Sequence, residues 1–160
     1  MHIKKPKTSL KKERSGQSLV ELAISLPVIL IILIGTVDFG MALFSYAILR
    51  DAAQEGALYG SFNPSNDEQI EIRARNILIR SNEDLFSSPV DLRDTSDIAV
   101  DIDINGAACQ GITNGAANSI RVQVIYQYPI VMPFAGDLIG SDTIQLTGSA
   151  TNVILQPPCP

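Results

Sequence analysis

The chain has 160 residues, 46% of them hydrophobic, and a formal net charge of −5 from 12 basic and 17 acidic side chains. Most of the acidic side chains follow residue 50, which disfavours nucleic-acid binding by the C-terminal part and suits a solvated surface. The one histidine, His2, leaves almost nothing for histidine-based acid, base or metal chemistry. A chain of this length has room for one small folded core.

A cationic segment, residues 1–16, precedes a long apolar run. No charged residue lies between Glu21 and Asp38, and Leu, Ile and Val fill most positions between them. Residues 22–37 would rise about 24 Å as a helix, and their weakly polar flanks extend this past the roughly 30 Å hydrocarbon layer of a membrane. We therefore predict a transmembrane helix over residues 17–46, continuing to about residue 60. The positive-inside rule places its N-terminus in the cytoplasm.

Gly16 separates the cationic segment from the apolar run, and Glu21 follows it by five positions. The segment Arg14-Ser15-Gly16-Gln17 resembles a type IV prepilin processing site, at which a membrane aspartyl peptidase cuts after the glycine. The continuation is similar to TadE-like proteins, the minor pilins or pseudopilins of the tight-adherence (Tad, Flp) pilus. The matching positions are Val20-Glu21-Leu22-Ala23, Leu26-Pro27, Gly35, Asp38-Phe39-Gly40 and the block from Ala52 to Gly60.

This resemblance implies several features of the protein. Residues 1–16 would be a leader that prepilin peptidase removes between Gly16 and Gln17. The mature chain would cross the cytoplasmic (inner) membrane once, with the filament as a second location. Its partners would be the membrane, the peptidase, other pilin subunits and the Tad assembly machinery. Because the major pilin of such systems is a very short chain, 160 residues imply a minor component.

Glu21 lies at the start of the apolar run. A carboxylate at the centre of a bilayer costs about 2.5 kcal/mol or more, so Glu21 should lie near an interface or pair with a cation. Cleavage after Gly16 would create an α-amine on Gln17, one helical turn before Glu21. The resemblance implies that Glu21 pairs with this amine on a neighbouring subunit during assembly. The residues alone equally allow a position at headgroup level beside the basic arm.

Residues 47–160 predict an extracytoplasmic headpiece, so that the whole chain has an α+β fold. Small residues at i, i+4 and i+8 (Ala52, Gly56 and Gly60) form a smooth strip that favours packing within the chain over a contact between subunits. The sequence from Ser65 to Glu68 matches a capping box with Ser65 as the cap, and it opens a second helix from about residue 66 to residue 80. Glu71 and Arg75 form an i, i+4 pair on that helix.

Three stretches of alternating polarity predict a three-stranded antiparallel sheet packed on the extended first helix. They span residues 97–104, 119–128 and 143–155, and residues 133–140 are predicted to be an irregular connection. Both cysteines, Cys109 and Cys159, fall in this part. On the oxidising side of a membrane they are predicted to form a disulfide, and side-by-side placement of the first and third strands would bring them near each other. Two free thiols are the alternative.

No nucleophile motif, phosphate-binding loop or metal-ligand cluster occurs in the sequence, so we predict no enzyme activity and no cofactor. Three aspartates share one face of the first strand, but they lack the loop pattern of a calcium site, and no metal is predicted. A structural subunit of a pilus is the favoured interpretation. The alternative is a membrane-tethered extracellular binding or adhesion module, whose contact candidates are Tyr126, Tyr128 and Phe134.

Overall fold

The structure, a computed structural model, describes residues 14–76, 89–105 and 118–155. Two helices come first, then two strands, a short helix and a last strand. The elements are α1 (Arg14–Phe62), α2 (Asp67–Arg75), β1 (Ile98–Asn105), β2 (Ser119–Pro129), α3 (Ala135–Ile139) and β3 (Thr143–Val153). The predicted α+β fold, with a long first helix, a second helix and a three-stranded antiparallel sheet, is confirmed.

Helix α1 has 49 residues and would be about 73 Å long at 1.5 Å per residue. It runs through Pro27 as one helix and ends at Phe62, directly before the Asn63-Pro64 pair that cannot continue it. Hydroxyl groups in its apolar half bond to carbonyl oxygens of the preceding turn, as Thr36 Oγ1 does to Ile32 O at 2.7 Å. This pattern suits a helix without water around it, because each polar group finds its partner in the same helix.

The C-terminal half of α1 carries the headpiece. Leu49, Ala52, Ala53 and Ala57 are fully buried against the sheet and α2. A methyl group added at Gly60 would lie 2.5 Å from Ile120 Cδ1, which shows how closely the helix approaches β2. The predicted smooth strip therefore packs within the chain, as expected.

The sheet has the order β1-β2-β3, and both pairs are antiparallel. Hydrophobic residues on one face of β1 and β2 are more buried than their neighbours along most of each strand, and Ile120, Val122 and Val124 on β2 are buried. The first and third strands are not neighbours, which is the placement that would bring Cys109 and Cys159 near each other. In a meander each strand pairs with the one before it, so β2 lies between β1 and β3.

Three local predictions differ from the structure. Asn66, not Ser65, caps α2, and its Oδ1 accepts from the backbone N–H of Gln69 at 3.2 Å. Asn is as good a cap as Ser and lies one residue nearer the helix. The connection after β2 contains helix α3, which was predicted to be irregular, and β3 ends at Val153.

Other features of α2 follow the prediction in part. The ion pair from Arg75 Nε to Glu71 Oε1 is confirmed at 2.8 Å. Arg75 also donates to the carbonyl oxygens of Leu92 and Ile98, which attaches α2 to the segment leading into β1. The last predicted turn of this helix, residues 77–80, lies outside the described residues.

Replacing Gly148 with alanine should destabilise the headpiece strongly. Gly148 on β3 crosses α1 so closely that a Cβ atom would lie 2.6 Å from the carbonyl oxygen of Leu49, and backbone cannot move aside as a side chain can. We expect a loss of about 3 kcal/mol, which lowers the Tm of a domain this size by about 10 °C or more. Thermal unfolding of the detergent-solubilised chain, followed by circular dichroism, measures this.

The matched control is Gly40→Ala, since nothing lies within 4 Å of a Cβ atom at Gly40. Equal Tm values for the Gly148 and Gly40 variants would contradict the close crossing of helix and strand.

Candidate functional site

The N-terminal half of α1 presents an uncovered apolar surface. Every large hydrophobic side chain from Leu19 to Phe44 is at least 39% exposed. The helix contains a stretch long and apolar enough to cross a membrane, with a mean hydropathy of 2.5, and none of that stretch is buried in the fold. A soluble core helix would bury such a surface, so this half of α1 is consistent with a single-pass membrane protein.

The predicted processing and assembly residues lie on this exposed half. Gly16, Gln17 and Glu21 are all exposed and belong to one continuous helix, so Gln17 and Glu21 are one turn apart. Within the described residues, Glu21 forms no ion pair. The geometry leaves both groups accessible to another chain.

A second polar group, Asp38, joins the apolar half of α1 to the headpiece. The Tyr128 hydroxyl donates to Asp38 Oδ1 at 2.7 Å, and the backbone N–H groups of Val131 and Met132 donate to Oδ2 at 3.2 Å each. Three donors from the end of β2 and the following connection thus converge on one carboxylate. Hydrogen bonds to an ionised acceptor are stronger than those between neutral groups.

Sequence reasoning identified Asp38 only as the end of the apolar run and missed this role. The available signal was an acid at the end of an apolar run, which needs donors wherever water is scarce. This signal does not identify the donors, because Tyr128 is 90 positions away in the chain and only the fold brings it to Asp38.

Tyr128 is suited to donate at this junction. Burial, reinforced by the hydrogen bond to Asp38 and its charge, raises the pKa of the Tyr128 phenol to about 12. The hydroxyl therefore keeps its proton at neutral pH and remains a donor. The Tyr126 ring packs edge-on against Tyr128, with ring centroids 6.2 Å apart. Both oxygens of the Asp38 carboxylate thus have donors at this junction.

The three aromatic residues proposed as contacts of a binding module have different environments. Tyr128 is buried in the junction, Tyr126 is partly buried beside it, and Phe134 is exposed. Packing and hydrogen bonding within the chain account for the two tyrosines. Phe134 alone of the three presents its ring to the surroundings.

Cys109 and Cys159 lie outside the described residues, so their predicted disulfide stays a prediction. The segments that contain them leave the same end of the sheet: Asn105 pairs with Ser119, and Ser119 pairs with Val153. The C-terminal ends of β1 and β3 thus lie at one end of the sheet, although the two strands are not neighbours.

Across residues 14–76, 89–105 and 118–155, no three His, Cys, Asp or Glu side chains group closely enough to hold a metal ion. The aspartates on the outer face of β1, Asp101 and Asp103, are exposed. Solvated surface charges explain them.

Fold and site together define a class: an α+β headpiece docked on the C-terminal half of a long helix whose N-terminal half is apolar and uncovered. Residues 16–58 match the model of a known family, TadE-like protein. This match agrees with the resemblance found in the sequence, and it covers the exposed apolar helix and the start of the headpiece contact. No curated protein and no solved structure matches the chain.

Replacing Tyr128 with phenylalanine should loosen the connection after β2. The change removes the hydroxyl donor from Asp38 and keeps the ring, and a hydrogen bond to a charged group contributes about 1.5–3 kcal/mol. We expect the amide hydrogens of Val131 and Met132 to exchange about tenfold faster or more. Hydrogen exchange followed by mass spectrometry measures this.

Tyr126→Phe is the control, because the Tyr126 hydroxyl makes no hydrogen bond to the described residues. Unchanged exchange in the Tyr128 variant would show that the Asp38 junction does not hold this connection in place.

Proposed function

We propose that the protein is a minor pilin or pseudopilin that takes part in assembly of a Tad-type pilus, after prepilin peptidase cuts between Gly16 and Gln17. The observation that carries this proposal is the TadE-like match over residues 16–58, on a helix whose apolar half is uncovered while its other half holds a folded headpiece. Such a chain can exchange lipid for neighbouring helices without unfolding its headpiece.

The topology follows from the charges. The cationic segment stays in the cytoplasm, α1 crosses the membrane, and the acidic headpiece stands outside. The headpiece already covers one face of the C-terminal half of α1, so the apolar half offers the larger uncovered surface for contacts between subunits. Dispersion and close packing would hold helices together there, as in other helix assemblies within membranes.

Glu21 gives these contacts a register. After cleavage the α-amine of Gln17 carries a positive charge, and on a neighbouring helix it can pair with Glu21. An unpaired carboxylate is costly in an apolar medium, so subunits shifted from this pairing are disfavoured. The proposed role of Glu21 is thus to select one alignment among many apolar ones.

Intact mass of the protein extracted from membranes tests processing directly. In cells that contain a prepilin peptidase, we expect a chain that begins at Gln17. A Gly16→Leu variant should keep its cationic segment, because the peptidase requires a small residue at the cut. The control Gly40→Ala should be processed normally, since Gly40 lies far along the helix.

The same mass measurement tests the proposed Cys109–Cys159 disulfide, because a disulfide lacks both thiol hydrogens and the cysteines cannot be alkylated until it is reduced.

A full-length chain that keeps its lysine-rich N-terminal segment in the presence of the peptidase would contradict the pilin proposal. That result would favour the membrane-tethered binding module.

Replacing Glu21 with glutamine should impair assembly without affecting the fold. Glutamine has nearly the same shape but no charge, and breaking a buried ion pair costs about 3–5 kcal/mol. We expect the amount of the subunit in sheared filaments to fall about a hundredfold or more. If the protein only initiates filaments, we expect the number of filaments to fall by the same factor. Both are measured by immunoblot and electron microscopy of the sheared fraction.

Glu68→Gln is the matched control, because Glu68 is exposed on α2 and far from the apolar half of α1. Filament production by the Glu21 variant at the level of the Glu68 variant would refute the pairing.

A further inference from the structure

The connection between β2 and β3 carries an exposed apolar surface that neither the fold nor the proposed assembly contact uses. We name residues 130–139 the apolar foot. Val131, Phe134, Leu138 and Ile139 within it are all largely exposed, and Leu138 reaches 86%. Four large hydrophobic side chains close together in one short connection are unusual on a surface in water.

The foot lies beside the apolar half of α1, below the packed part of the headpiece. Met132 Sδ would be 2.9 Å from a Cβ atom at Gly35, so the foot touches the helix within its apolar run. Val131 lines a groove with Leu33 and Val37, and its apolar surface is thus continuous with that of the helix.

Distances along the helix give the depth of this contact. If Glu21 lies at the inner boundary of a hydrocarbon layer about 30 Å thick, the outer boundary falls near Met41 at 1.5 Å per residue. Gly35 then lies about 9 Å inside that boundary. A foot that touches Gly35 is therefore level with the outer leaflet, within the roughly 5–10 Å depth at which interfacial helices bury their apolar faces.

The positions of the polar groups near the apolar foot are consistent with a foot at the level of the outer leaflet. The Asp38 carboxylate is paired with Tyr128 and two backbone amides, as a carboxylate near lipid must be. Residues 129–136 carry no charge. Asp137 is charged and exposed on α3, which limits the foot to the interface, where headgroups and water solvate that carboxylate.

The backbone gives an independent observation. Phe134 has φ 68°, the left-handed region that aromatic residues rarely adopt, and it precedes α3. Phe134 is 75% exposed, so burial within the described chain does not offset this backbone strain. Burial of its ring in an apolar medium would offset the strain.

We infer that the apolar foot is inserted into the outer leaflet of the membrane, with lipid acyl chains around Phe134 and Leu138. This inference rests on the proposed insertion of α1. Lipid is the occupant because it surrounds the helix at this level in every inserted chain, whereas a second copy would be present only after assembly. The foot would fix the height and tilt of the headpiece on the membrane.

Single tryptophans test the inference, because the chain has none of its own. The full-length chain carrying Leu138→Trp or Phe134→Trp is placed in phosphatidylcholine vesicles, with or without brominated acyl chains that quench nearby tryptophan. Val37→Trp, on the exposed side of the helix at the same level, is the positive control.

Leu155→Trp is the negative control. Leu155 is exposed, and its N–H bonds to Ser61 O, about 35 Å along α1 from Asp38. We expect tryptophans at 138 and 134 to lose as large a fraction of their emission to brominated lipid as tryptophan at 37 does. Tryptophan at 155 should lose none.

Quenching of the tryptophan at 37 but not of those at 138 or 134 would contradict insertion of the apolar foot into lipid, while still supporting insertion of α1. Absence of quenching at 37 as well would overturn the insertion of α1, and the foot with it. Emission at 138 that is blue-shifted yet unaffected by brominated lipid at high protein density would assign the foot to a second copy of the chain, and would also overturn the lipid contact.

Discussion

Helix α1 has to be stable in two environments, an apolar medium around its N-terminal half and the packed headpiece along its C-terminal half. The rest of the structure follows from that constraint. The large hydrophobic side chains of α1 up to Phe44 are uncovered, and from Ser45 onward the helix buries one face against its own headpiece. The two halves share an unbroken hydrogen-bonded backbone. The headpiece therefore cannot tumble freely on a linker; it is held rigidly by the element that we propose to cross the membrane.

Small residues make that attachment possible. Ala52, Gly56 and Gly60 let α2 and β2 approach the helix, and Gly148 lets β3 cross it at backbone distance. A sheet of three strands cannot bury a large core, so it gains stability by packing closely over a smooth surface rather than by filling a deep interior. The Asp38 junction lies at the edge of the contact between α1 and the sheet, where hydrogen bonds replace apolar packing.

Local patterns in the sequence predicted most of the fold, and contacts between distant residues explain what they missed. Alternation specifies β1 and β2 because one face of each strand packs into the core that α1 and α2 also line, and Asn63-Pro64 marks the end of α1. The Asn66 cap was missed because two good capping residues are adjacent. The Asp38–Tyr128 pair has no local signature, since the sequence around each residue does not indicate its partner. Helix α3 is too short for a periodic pattern.

The continuous helix also couples the inner end of the proposed assembly contact to the headpiece. Asp38 marks the side of α1 on which the foot and β2 lie, and Glu21 is 17 residues earlier. At about 100° per residue, Glu21 points about 100° away from that side. A neighbouring helix that pairs with Glu21 would thus set the rotation of the whole headpiece outside the membrane. Pairing of one carboxylate would then position a folded domain more than about 25 Å away, because α1 transmits rotation as well as height.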